Sequence, residues 1–143
     1  MSAPALALSG VRLVHNPGRS DEVVALHGLD LEVARGEFVT VVGSNGAGKS
    51  SMVSVVSGAT RPTTGRVRID GRDVTRLPAH RRAGSVARVF DDPRTGTAPE
   101  LSIEDNLALA ARRGRRRGLR RAVGPKQRAE FRERLSELGL GLE

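Results

Sequence analysis

Gly43-Ser44-Asn45-Gly46-Ala47-Gly48-Lys49-Ser50 follows the spacing GxxxxGK[ST], in which each residue type has a part in holding phosphate. Glycines let the main chain turn its N–H groups inward, where side chains would block the approach of an anion. Lys49 is long enough to reach the outer phosphates of a bound triphosphate, and the Ser50 hydroxyl is a ligand of the kind Mg²⁺ accepts. The chemistry expected here is the binding of a nucleoside triphosphate.

Such a loop works only between a strand and a helix. Phe38 to Val42 is a short apolar, β-branched run and is expected to be the strand, part of a core sheet. Lys49 to Ser57 is expected to be the helix, with Met52, Val53 and Val56 on one side, and Gly58 is a natural stop. The helix start adds roughly half a positive charge where the phosphates would lie.

Around this centre the pattern is mostly extended before the loop and mixed after it. Ala5 to Val14 reads as a strand with a turn at Asn16-Pro17-Gly18. Val23 to Val33 reads as another, with Leu29, Leu31 and Val33 alternating with Asp30 and Glu32. These early strands are expected to be antiparallel. Arg66 to Ile69 alternates again, and Asp70-Gly71 is a two-residue hairpin signal. Leu77-Pro78 interrupts, the basic stretch His80-Arg81-Arg82 follows, and Ser85 to Phe90 reads as a strand ended by Asp91-Asp92-Pro93. Ser102-Ile103-Glu104-Asp105 has the form of a capping box, in which hydroxyl and carboxylate satisfy free N–H groups at a helix start. A last helix is expected from Pro125, with Phe131, Leu135 and Leu138 as its apolar stripe.

The 143 residues suffice for one core, and the chain has no cysteine, so disulfides and thiolate metal sites are excluded. No apolar run approaches the ~18 residues of a membrane span, and the start lacks the form of a signal peptide. Net charge is +8, concentrated between Arg112 and Arg121, where seven of ten residues are arginine. That run is compatible with a solvated helix end or loop, with attraction to anionic lipid head groups, or with nucleic acid. A nucleic-acid reading lacks a stacking platform, because Tyr and Trp are absent and no Phe interrupts the run.

With these pieces in place the chain resembles the N-terminal part of the ATP-binding subunit of an ABC transporter, over essentially its whole length. The resemblance is carried by Asn45-Gly46-Ala47-Gly48-Lys49-Ser50, by the hairpin segment from Pro62 to Gly71, by Val89-Phe90-Asp91-Asp92-Pro93 and by Ser102-Ile103-Glu104-Asp105-Asn106-Leu107. Within that family Asn16-Pro17-Gly18 and Thr95-Gly96-Thr97-Ala98-Pro99 resemble a subgroup transporting amino acids or similar small solutes.

The resemblance implies an α/β fold of the P-loop NTPase type. An antiparallel β subdomain and an incomplete core sheet would surround the phosphate-loop helix, with the ATP-binding core over about 1–100 and the start of a helical subdomain over about 101–143. It implies ATP and Mg²⁺ as ligands, with Gly43 to Ser51 on the triphosphate and Ser50 on the metal. His15 falls where the family stacks an aromatic residue on adenine; stacking and an ordinary exposed histidine both remain open. Asp91 stands where the family has glutamine, and as a carboxylate it could ligate Mg²⁺. A competing reading makes Val86 to Asp92 a buried strand ending in a metal-binding aspartate. Arg88 and the alternating pattern argue against it.

The implied partners are membrane-embedded permease subunits and a second ATP-binding subunit, at the cytoplasmic face of the membrane, with no specific nucleic acid. The family's LSGGQ-type signature, its strand ending in Asp-Glu and its switch histidine are not among these residues. Hydrolysis in the family needs a carboxylate to orient water and a signature loop over the γ-phosphate. The expectation is a truncated piece that binds ATP weakly, turns over little or none, and exposes an apolar sheet edge. The alternatives carried are a non-catalytic nucleotide-binding or interaction fragment and an arginine-rich nucleic-acid binder.

Overall fold

Leu8 and Val11 are both buried, although three residues apart in one strand, a spacing that a regular strand would send to opposite faces. A β-bulge between them, marked by shifts of register, restores the alignment. The strand, β1 (Leu6–His15), thereby keeps Leu8, Val11 and Leu13 on the core side. In this computed structural model residues 3–114, 123–139 and 141 are described. The chain divides into two units, Met1–Ala87 and Arg88–Glu143.

The first unit is built on a four-stranded antiparallel sheet in the order β2-β1-β3-β4, with β2 at Val23–Val33, β3 at Thr64–Ile69 and β4 at Arg72–Asp73. Leu8 stands opposite Leu31 on one side and Val67 on the other, so one apolar row crosses three strands. Asp70 and Gly71 both have positive φ, as a two-residue hairpin between β3 and β4 requires. The helix α1 (Lys49–Ser57) lays Val55, fully buried, onto the cluster of Leu8, Val11, Leu13, Leu26, Val67, Ile69 and Val74. Burying a side chain of this size stabilises by roughly 1.5–3 kcal/mol. A short helix, α2 (Ala79–Arg82), follows the turn at Thr75-Arg76.

The second unit holds α3 (Pro93–Gly96), α4 (Ile103–Ala111) and α5 (Pro125–Ser136). The Asp92 side chain caps α3 by accepting from the Arg94 amide at 2.9 Å. Arg128 grips Glu104 through two bonds of 2.7 Å, tying α5 to α4. Asn106 fastens the preceding loop, accepting from the Ala98 amide and donating to the carbonyls of Ala98, Leu101 and Ser102.

Several expectations need correction. Phe38–Val42 and Ser85–Phe90 belong to no strand among the described residues. Phe38 is 91% exposed, Val42 88% and Val89 94%, and no strand among the described residues pairs with either segment. On α1 the core contact is made by Met52, Val55 and Val56, whereas Val53 faces outward. The capping box of α4 is half formed. Ser102 Oγ accepts from the Asp105 amide at 3.1 Å, but the Asp105 carboxylate accepts from the Ser102 hydroxyl, not from its amide. Leu138 lies beyond the end of α5 and is exposed, so the stripe there reduces to Phe131 and Leu135. Of the arginine run, residues 115–121 lie outside the described residues.

Candidate functional site

The glycine-rich loop connects the 38–42 segment to α1. Gly46 and Gly48 have φ of 86° and 87°, in the left-handed region that glycine enters without strain. Gly48 is the N-cap of α1 and therefore brings no side chain to its first amides. No acidic residue occupies the first turn either. Main-chain donors at the positive end of the helix are thus left open to a ligand.

The close approach of the loop to β2 explains why position 48 has no side chain. A Cβ on Gly48 would lie 2.5 Å from the Ala25 carbonyl oxygen and 3.1 Å from Leu26 Cδ2. The loop closes on itself through the Ala47 amide, which donates to the Ser44 carbonyl at 3.2 Å, and the helix starts with the Met52 amide on the Gly48 carbonyl at 2.8 Å.

Lys49 folds back over the loop. Its Nζ donates to the carbonyls of Gly43 at 2.5 Å and Ser44 at 2.7 Å. The ammonium is thereby held over the loop mouth, and it has no carboxylate partner among the described residues. An open depression of about 390 Å³ is lined by Asn45, Gly46, Ala47, Gly48, Lys49, Ser50 and Ser51. Donor amides, a cation and a hydroxyl share this depression, and it contains no acidic side chain. Such a donor set fits a polyanion.

The other expected residues are less closely gathered. His15 is exposed at the end of β1, opposite Val23, two residues along β2 from the Ala25 carbonyl that touches the loop. Asp91 belongs to the second unit, exposed in the bend before α3. No group of three His, Asp or Glu suited to a metal occurs among the described residues. The fit for Mg²⁺ therefore rests on the Ser50 hydroxyl together with the phosphate oxygens of a nucleotide. Ala25 and Leu26, the floor beneath Gly48, were not singled out by sequence reasoning, since β2 reads only as an alternating strand.

Arg82 was also missed as anything beyond part of a basic stretch. It is 2% exposed and donates to four carbonyls: Val55 at 2.7 Å, Val56 at 2.8 Å, Leu77 at 2.8 Å and Thr75 at 3.2 Å. Burial pulls its guanidinium below the ordinary arginine range, while Asp73 opposes that shift. Arginine remains charged regardless. The residue sits at the far end of α1 from the phosphate loop.

The chain is similar to known proteins. The family described as ABC transporter matches residues 26–142. A tyrosine transport ATP-binding protein of Clostridioides difficile is 36% identical over 95 residues, covering 66% of this chain and 38% of that protein. A spermidine/putrescine import ATP-binding protein of Acidothermus cellulolyticus is 38% identical over 123 residues, covering 85% of this chain and 31% of its own length. This chain thus spans roughly a third of the curated relatives it matches. A solved dimeric bacterial ABC transporter cassette superposes with a TM-score of 0.71 at 25% identity, over 92% of this chain and 56% of that one. On the family match and on a fold shared with a solved cassette, the chain belongs to the ABC transporter family, as part of its ATP-binding domain.

Proposed function

We propose that this chain binds ATP with Mg²⁺ at residues 43–51 and forms part of the subunit that energises solute movement in an ABC transporter. The observation that carries the reading is the bare start of α1, whose amides have no side-chain cap and stand beside the Lys49 ammonium. The Gly46 to Ser51 amides hold the phosphate oxygens, and Lys49 exchanges its loop carbonyls for them. Ser50 is the protein's ligand to Mg²⁺, which when bound neutralises phosphate charge. His15 borders the base, and Asp91 takes the place at which the family has glutamine.

The relatives are ATP-binding proteins named for tyrosine transport and for spermidine/putrescine import; in this reading the solute is set by the partner proteins. Those partners are membrane permease subunits and a second ATP-binding subunit, which supplies the other half of a nucleotide sandwich. The complex lies at the cytoplasmic face of the membrane. No described helix is long and apolar enough to cross a membrane, which accords with attachment through the permease.

Calorimetric titration of the purified chain with ATP and Mg²⁺ tests the proposal. Saturable binding that is weakened at least tenfold by Lys49→Ala is expected, since the ammonium supplies charge-assisted bonds to phosphate. Equal binding by both proteins would refute the site.

A further inference from the structure

We infer that Arg82 is a positioning residue for nucleotide binding, holding the far end of the helix whose first turn receives the phosphates. The inference rests on the ATP-site reading above. The helix α1 has nine residues and so is about 13 Å long, short enough to move as one rod. Its phosphate end rests against β2 at Gly48, while its other end is held by the Arg82 fork.

Ordinary helix termination does not need this arginine. Gly58, with φ of 79°, already caps α1 through its amide on the Val55 carbonyl at 3.2 Å. Arg82 Nη1 reaches the same carbonyl and that of Val56, so the helix end is held twice. Through Nε and Nη2 the same side chain grasps Leu77 and Thr75, in the turn that follows β4. Its own carbonyl accepts from the amides of Ser85 and Val86 at 2.8 and 2.9 Å, where the chain leaves α2.

Two segments of the first unit therefore meet at one guanidinium, and a third at the main-chain carbonyl of the same residue. A buried cation with no salt bridge among the described residues is costly to keep. The negative end of α1 and four carbonyl oxygens compensate it. Planar, multiply directed donors are what arginine has and lysine lacks. The placement fixes the tilt of α1 and with it the direction in which the amides of residues 49–51 point.

The test measures ATP affinity, with Mg²⁺, for the wild-type chain, Arg82→Ala and Lys49→Ala, at a temperature where circular dichroism shows each folded. Arg82→Ala should bind about tenfold more weakly. Added guanidinium chloride at low millimolar concentration should restore that affinity by occupying the vacated cavity, whereas methylammonium should not. A helix loosened only by general instability would not be mended so selectively.

Weakened binding in Lys49→Ala with wild-type affinity in Arg82→Ala would overturn the positioning role and leave the site intact. Unchanged binding in Lys49→Ala would instead overturn the site reading. Should Arg82→Ala fail to fold, Arg82→Lys decides. Retained charge with about tenfold lost affinity and faster amide exchange at Val55–Ser57 is expected, and full affinity would contradict the proposal.

Discussion

Gly48 and Ala25 touch through main chain alone: a Cβ at position 48 would sit 2.5 Å from the Ala25 carbonyl oxygen. The glycine-rich loop is thus pressed against β2 at its left-handed turn. Replacing this glycine by alanine adds a collision with backbone to an unfavourable φ. Gly48→Ala should destabilise the first unit by about 2–4 kcal/mol and abolish ATP binding. Urea unfolding and nucleotide titration check it, and a stable variant with wild-type affinity would contradict the packing described.

Gly58 stands in a similar relation to Arg82. A Cβ there would come within 2.7 Å of Nε and 3.0 Å of the Leu77 carbonyl. Because φ at this position is also positive, Gly58→Ala should cost about 1–3 kcal/mol. Thermal unfolding gives the value, and an unchanged midpoint would mean that the guanidinium yields freely.

How much of this was legible beforehand follows from which residues carry their own signals. The span of α1, its glycine stop, the β3–β4 turn and β2 are set by local chemistry: caps, hairpin residues and strict alternation. Residues 43–51 are proposed as the site from the same kind of local signal, a spacing in which each residue type has a part in holding phosphate. Arg82 was not, because nothing in the string Ala79-His80-Arg81-Arg82 distinguishes the arginine that turns inward from its neighbours. Only tertiary contact decides that. Phe38–Val42 has every local mark of a strand, yet a strand is a pairing, and no partner strand lies beside it among the described residues.

The exposure of that segment has a measurable consequence. An extended apolar edge with unpaired amides invites association between copies. Phe38→Asp should reduce self-association in light scattering while changing stability by no more than about 0.5 kcal/mol, since the ring is 91% exposed. Unchanged association would place the sticky surface elsewhere.

Glu104 supplies a pH-dependent prediction in the second unit. Its two bonds from Arg128 hold its carboxyl below the ordinary glutamate range. A group depressed in the folded state stabilises above its unfolded pKa, and that stabilisation is lost as pH falls through the folded value. The α4–α5 contact should therefore weaken only in acid below the usual carboxylate range. Carbon-detected titration of the Glu104 carboxyl should show a midpoint lower than in a free peptide, rising in Arg128→Ala. No difference between the two proteins would show the pair to be without effect in solution.

The central claim is that main-chain amides at the start of α1 receive phosphate. Amide shifts of the isotope-labelled chain, recorded as ATP and Mg²⁺ are added, address it directly. The account predicts that the largest changes fall on Gly46, Gly48, Lys49 and Ser50, saturating with one affinity. Shifts confined to other residues, or none at saturating nucleotide, would contradict it.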